Sequence, residues 1–203
     1  GISDVDAVMT VRELARLIRL NGIDVSNTDR EPADEPLAGR SSSAVLAELS
    51  GGMAEGVVRL LTFRSTGKDA DRQLLKKLRG SGSFRDCTVK AGDTEIRIAV
   101  VDGLTGLEKL KASVSSGAKY HLVEVMTCPG GCIHGGGLPQ IASKEDLKNR
   151  ARLICQADET EAISLPDKSP SLINLYGRLI KDNREISDKK IFHTHFEKKN
   201  VLL

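Results

Sequence analysis

The chain has 203 residues, 39% of them hydrophobic and 29% charged, with a formal net charge of +2. That is enough for one large domain or two small ones with a sizeable core, and the charge is too small to argue for nucleic acid or a membrane surface. Aromatic residues make up 3%, with no Trp, which leaves no base-stacking platform, and no apolar run approaches the ~20 residues of a membrane span.

"TVRELARLIRLNG", Thr10 to Gly22, predicts a helix. Thr10 and Glu13 have capping-box spacing, Leu14, Leu17 and Ile18 form an apolar stripe, and Gly22 suits the C-cap. The polar stretch from Asn27 to Arg40, with Pro32 and Pro36, predicts a loop. Ser41 to Phe63 carries a second helical pattern, broken by Gly51 and Gly52, with Val57, Leu60 and Leu61 on one side. "TGKDADRQLLKKLRGSGS" reads as a polar connection followed by a short helix. "TEIRIAVVDG", from Thr94, alternates and is β-branched, as a strand requires. Thr105 and Glu108 form another box before a helix that stops at Gly117, and Lys119 to Thr127 is the next strand. Strand, helix and strand make a βαβ crossover, so an α/β fold with a short parallel sheet is expected. Ser143 caps a helix through "SKEDLKNRARLICQAD", and linker composition appears around Leu165 to Pro170. Ser169 and Pro170 then open a last helix.

Four cysteines occur, Cys87, Cys128, Cys132 and Cys155. They are sparse for a disulfide scaffold, and the N-terminus lacks the basic and apolar regions of a signal peptide, so a reducing, cytoplasmic setting is expected. Two of the cysteines lie in "EVMTCPGGCIHGGGLP", Glu124 to Pro139, just beyond a strand's carboxyl end, where open α/β sheets place ligands. Pro129, Gly130 and Gly131 argue against reading Cys128 and Cys132 as neighbours on a helix. A loop that folds back brings both thiols to one object, and thiolates are the donors favoured by zinc and iron–sulfur clusters. Two cysteines fall short of the four thiolates of a cubane. A tight turn with buried thiols, or a short-range disulfide, competes with the ligand reading. His134 lies in a glycine loop that exposes side chains, Cys155 sits mid-helix as a small buried hydrophobe, and Cys87 reads as a lone thiol.

The stretch from Glu124 to Pro139 resembles the third signature motif of the [FeFe]-hydrogenases, written close to E-V-M-A-C-P-G-G-C-x-x-G-G-G-Q-P. "DVDAVMTVRELARLI" resembles the family's D-V-D-x-V-L-T-T-R-E-L segment, and "EPLAGRSSSAVLAELSGGMAEGVVR" its second-motif region. "IRIAVVDGL" matches the strand before the third motif, and "SPSLINLYGRLI" through "IFHTHF" resembles the small-subunit region. The resemblance implies half of the H-cluster domain over 1–164, with a short parallel sheet and flanking helices, and a small-subunit-like helical belt over 165–203.

It further implies site residues. Cys128 would ligate a [4Fe-4S] cubane, and Cys132 would ligate it and bridge to the diiron subcluster where H2 is made or split. Met126 would pack beside the diiron unit. Gly130, Gly131, Gly135, Gly136 and Gly137 would keep the loop thin around the cluster, with Gly51 and Gly52 from the second motif alongside. The family's T-S-C-C-P motif and M-P-C-x-x-K-K segment do not occur here. They carry the other two cubane cysteines, the proton-relay cysteine and a lysine near the cyanide ligands. The resemblance therefore implies a half-site, active only with a second chain bearing those motifs, and with electron-transfer subunits that hold iron–sulfur clusters or flavin.

There are departures inside the matched half. Ala47 and Glu48 stand where the family has Phe-Gly, Met53 is shifted by one, and Leu138 replaces a Gln. His193 and His195 are expected as packing residues of the belt, and Lys189, Lys190, Lys198 and Lys199 as a solvated face. Glu55 and Glu124 are expected in structural roles, with a proton path as the alternative. The resulting expectation is a subunit of a split [FeFe]-hydrogenase acting on H2 and protons. The alternatives are a sensory relative, or a cubane-only relative like the eukaryotic cytosolic iron–sulfur assembly proteins, whose typical C-P-S-G-C differs from the Cys-Pro-Gly-Gly-Cys here.

Overall fold

The computed structural model describes residues 5–32, 34, 39–79, 82–141 and 143–181. His193, His195 and the four tail lysines lie outside these. Helix α1 (Val11–Leu20) opens on the expected capping box, with Thr10 and Glu13 exchanging bonds. It ends at Asn21, one residue before the expected Gly22. Most of its apolar stripe is uncovered among the described residues: Leu14 and Leu17 are 45% and 44% exposed, and Ile18 is half-buried.

The sheet has three strands in the order β1 (Phe84–Ala91), β2 (Thr94–Asp102), β3 (Leu122–Met126). The expected crossover is present: β2 and β3 are parallel, joined by α5 (Thr105–Ser115), with Asp102 opposite Met126. Strand β1 was not expected. It runs antiparallel to β2 through a two-residue turn at Gly92 and Asp93, with Ala91 opposite Thr94. Its inward positions include Arg85, Val89 and Ala91, and the arginine hides the apolar alternation by which a strand is recognised. The box expected at Thr105 does not form. Leu104 is already helical and precedes α5 without a side-chain cap, so Thr105 lies inside the first turn, where the extended backbone of a cap is out of reach.

Between these parts, α2 (Ser42–Leu46) and α3 (Gly52–Thr66) flank the glycine pair, and a short α4 (Arg72–Leu75) continues as a 3-10 turn, Lys76–Arg79. The face of α3 that packs on the sheet is not the expected Val57, Leu60 and Leu61. Ala54 and Val58 enter a core with Leu75, Leu78, Val89, Ile98 and Val100, while Leu61 is exposed. Beside them Glu55 and Arg59 are buried and paired at 2.5 Å, Arg59 also gripping Asp158 at 2.7 Å and Glu55 also holding Arg79 at 2.6 Å. A buried charge cluster so paired lets a polar face turn inward.

Helix α6 (Lys144–Thr160) begins at Ser143 and α7 (Pro170–Tyr176) at Ser169 with Pro170 in its first turn, both as expected, and the Ser143 cap closes a box with Asp146. Leu147, Ala151, Ile154 and Cys155 pack on Leu46, Leu49 and Ile133, and the Cys155 Sγ accepts from Arg79 Nη1 at 2.9 Å. At the expected division near residue 165 the chain lies against α2, with Ser42 N–H donating to the Ile163 carbonyl at 2.8 Å and Leu165 buried. No helix among the described residues is long and apolar enough to cross a membrane.

Candidate metal centre

The cysteine loop leaves β3 at Met126, whose carbonyl accepts the Gly103 N–H at 2.8 Å. Gly130 and Gly131 both take positive φ, at +85° and +94°, and the Gly131 N–H closes a turn onto the Cys128 carbonyl at 2.9 Å. Gly131 then forms an antiparallel bridge with Leu49. Cys132 N–H donates to the Glu48 carbonyl at 2.8 Å and Ser50 N–H to the Gly130 carbonyl at 3.2 Å. The second-motif segment is thus hydrogen-bonded to the third motif across the two thiols. A Cβ on Gly131 would lie 2.5 Å from the Glu48 carbonyl oxygen and 2.7 Å from the Ser50 nitrogen, so the bridge requires glycine. Gly51 and Gly52 serve a similar close approach, where a Cβ would meet the carbonyls of Leu78 and Leu46 below 2 Å.

After the bridge, Cys132–His134 forms a single 3-10 turn. Ile133 is its anchor, buried against Leu46 and Leu49, and Arg150 from α6 donates to the carbonyls of Ile133 at 2.9 Å and Pro139 at 3.0 Å. His134 is exposed and turned back toward the Pro129 carbonyl at 3.2 Å. Gly137 reaches α1, its carbonyl accepting the Arg12 N–H at 3.1 Å, and the Arg12 guanidinium bonds the Gly136 carbonyl. The naked helix α1 therefore adjoins the end of the cysteine loop.

Glu124 and Glu55 are both committed to structural bonds. The Glu124 carboxylate accepts from the N–H groups of Gly51 at 2.5 Å and Ala54 at 2.7 Å. It caps α3, where partial positive charge favours an anion. Glu55 is locked between two arginines, as above.

Cys128 is half-buried and Cys132 exposed, and both are free thiols. The disulfide alternative is absent. Met126 is half-buried at the strand end two residues before Cys128. Cys87 is also free and packs beside the sheet core. Burial pushes its thiol up despite the nearby cations Lys77 and Arg85. Among the described residues no group of three or more His, Cys, Asp or Glu gathers that could hold a metal. The donor set thus fits two thiolate positions of a cubane and leaves two to be supplied. Sequence reasoning missed the residues that hold the loop: Ser50, Arg150 and Asp102, whose Oδ1 accepts the Gly130 N–H at 2.6 Å. The only local signal is the aspartate of Asp102-Gly103 at the end of β2.

A family profile described as "Iron only hydrogenase large subunit, C-terminal domain" matches residues 1–136. The NADP-reducing hydrogenase subunit HndD of Solidesulfovibrio fructosivorans is 32% identical over 203 residues, covering 100% of this chain and 35% of that protein. The cytosolic iron-sulfur assembly component 3 of Mus musculus is 32% identical over 205 residues, covering 95% of this chain and 41% of that one. A variant of the [FeFe]-hydrogenase HydA1 from Chlamydomonas reinhardtii shares the fold, with a TM-score of 0.72 at 24% identity, over 95% of this chain and 55% of that one. The chain spans well under two thirds of each of these proteins. A [4Fe-4S] cluster and an H-cluster, the cofactors expected from the sequence, are those associated with the matched family. The chain belongs to the family of the iron-only hydrogenase large subunit, C-terminal domain.

Proposed function

We propose that the chain is one part of a two-part [FeFe]-hydrogenase site that oxidises H2 and reduces protons, completed by a partner chain. The observation that carries this reading is the pair of free thiols, Cys128 and Cys132, on a loop pinned to the second motif. Cys128 and Cys132 would hold the cubane, and Cys132 would also be the thiolate shared with the diiron subcluster. When bound, the cluster would supply the metal site at which H2 is split and the relay for the electrons. The protein's own part is to present two thiols, which lose their protons on coordination, and to fix their spacing through Gly131. Met126 and the glycines from Gly135 to Gly137 shape the cluster's surroundings.

The partner supplies the two remaining cubane thiolates and the proton-relay cysteine. The uncovered stripe of α1, tied to the loop through Gly136 and Gly137, supports a partner that seats beside the site. Further subunits carry electrons in and out, and the complex works in the cytoplasm. A second reading, a cubane-holding protein of the assembly or sensory type, is favoured by the 32% identity to the mouse assembly component and by Ala47 and Glu48 in place of Phe-Gly.

The complex isolated anaerobically from its native source separates the two. Iron and sulfide in the complex, with H2-dependent dye reduction that is lost in Cys132→Ser, are expected. A complex that holds iron and sulfide yet catalyses no H2–D2O exchange overturns the catalytic reading in favour of the second.

A further inference from the structure

One buried side chain reaches both hydrogen bonds that hold the middle of the cysteine loop. Arg85 sits on an inward position of β1, 8% exposed. An unpaired cation is costly there, yet this one is fully engaged. Its Nε donates to the Leu78 carbonyl at 3.0 Å and its Nη1 to the Gly82 carbonyl at 2.9 Å. The other side of the guanidinium faces the site. Nη2 donates to Ser50 Oγ at 2.8 Å, and Nη1 lies 3.6 Å from Asp102 Oδ2. Those two residues are the ones that grip Gly130. Asp102 Oδ1 accepts the Gly130 N–H at 2.6 Å, and the Ser50 N–H donates to the Gly130 carbonyl at 3.2 Å. Gly130 lies between Cys128 and Cys132, so both of its backbone polar groups are fixed by partners that Arg85 holds in place.

We propose that Arg85 and Asp102 are positioning residues for the cluster site, acting as a neutral pair that fixes the Gly130 backbone and sets the separation and local charge of the two thiols. The inference rests on the reading that these thiols hold an iron–sulfur cluster. Its mechanical half stands without it. Two consequences follow. The Gly130 N–H is committed to a carboxylate and is not a donor to the cluster's sulfide, unlike free loop amides in such sites. And because the pair is neutral, removing either member leaves the other charge uncompensated beside the cluster.

That second point gives a readout that loosening alone cannot mimic. Arg85→Gln exposes the negative charge of Asp102 and lowers the cluster's midpoint potential. Asp102→Asn keeps an acceptor for Gly130 but exposes the positive charge of Arg85, and raises the potential. A unit charge acting across ~12 Å at an effective dielectric of ~20 is expected to move the oxidised-to-reduced ratio about tenfold, equivalent to about 59 mV for a one-electron couple, and a nearer charge moves it further. Arg85→Lys keeps the charge without the planar fork, so its potential stays near that of the wild type.

The test is an EPR-monitored redox titration of the anaerobic complex with each variant. Phenylarsine oxide, which bridges two nearby thiols, is titrated in parallel against the complex stripped of its metal. Opposite potential shifts in Arg85→Gln and Asp102→Asn, and roughly tenfold weaker arsenical binding in Arg85→Lys, are expected. Potentials that move together or not at all overturn the electrostatic half, and unchanged arsenical binding overturns the positioning half. A wild-type complex without iron or sulfide is a failure of the functional reading alone, and the arsenical titration then decides the positioning claim. Where one variant does not survive the redox titration, the potential of the other decides the electrostatic half and the arsenical measurement in Arg85→Lys the positioning half.

Discussion

Replacing Gly131 with alanine strikes the point where the two halves of the site meet. Gly131 takes φ +94° and ψ −156°, a region open essentially to glycine alone and worth about 1–3 kcal/mol of strain for other residues. The added Cβ would lie 2.5 Å from the Glu48 oxygen, 2.7 Å from the Ser50 nitrogen and 3.0 Å from the Leu49 carbonyl carbon. All three are backbone atoms, so relief requires opening the bridge rather than turning a side chain. Opening it sacrifices the bonds from Cys132 to Glu48 and from Ser50 to Gly130, at about 0.5–1.5 kcal/mol each. The sum is on the order of 4 kcal/mol, a large part of a typical total of about 5–15 kcal/mol.

Gly136 is the matched control in the same loop. A Cβ there meets nothing within 4 Å, and Gly136→Ala should change stability by no more than ~0.5 kcal/mol. Urea unfolding of the reduced protein, read by circular dichroism, compares the two. Gly131→Ala within 0.5 kcal/mol of Gly136→Ala, on the scale of that surface range, would refute the bridge as the element that fixes the thiols.

Three further outcomes are expected. Asp158 is 2% exposed; burial opposes its charge, but the Arg59 hydrogen bond and charge outweigh burial and hold the carboxyl below its usual range. Its stabilisation is complete above the ordinary carboxylate pKa of ~3.9 and is lost as pH falls through the lowered folded value. Asp158→Asn should therefore cost about 3–5 kcal/mol at neutral pH and flatten the acid limb of the stability curve; an unchanged acid limb would contradict the pairing. Glu124→Gln, which leaves one of the two α3 N–H groups facing an amide NH2, should cost about 1–3 kcal/mol in thermal unfolding, whereas an unshifted melting temperature would argue against the cap. Changing both Leu14 and Leu17 to Gln touches no buried contact, so stability should hold within ~0.5 kcal/mol while the partner no longer co-purifies; retention of the partner would dissociate α1 from the interface.

Much of the local structure was legible because its signals are short-range. The box at Thr10, the cap at Ser143, the Ser169-Pro170 start and the βαβ run each declare themselves within a few residues, and each formed. What escaped depends on partners distant in sequence. Arg85 occupies an inward strand position only because Ser50 and Asp102 meet it there, and this charge concealed β1. Glu55 and Arg59 turn α3 to an unexpected face because Asp158, on a helix almost 100 residues later, closes the ion pairs. The motif identified the thiols, but not Asp102, Ser50 and Arg150, whose roles exist only in three dimensions. The α1 stripe is the reverse case. Its pattern was plain, yet Leu14 and Leu17 stay exposed among the described residues.

The central claim, that Cys132 belongs to a working H-cluster rather than to a cubane alone, is most directly tested by the infrared spectrum of the complex isolated anaerobically from its native source. Carbonyl and cyanide stretching bands, absent when Cys132 is replaced by Ser, are the predicted result. A preparation rich in iron and sulfide but silent in that region would contradict it.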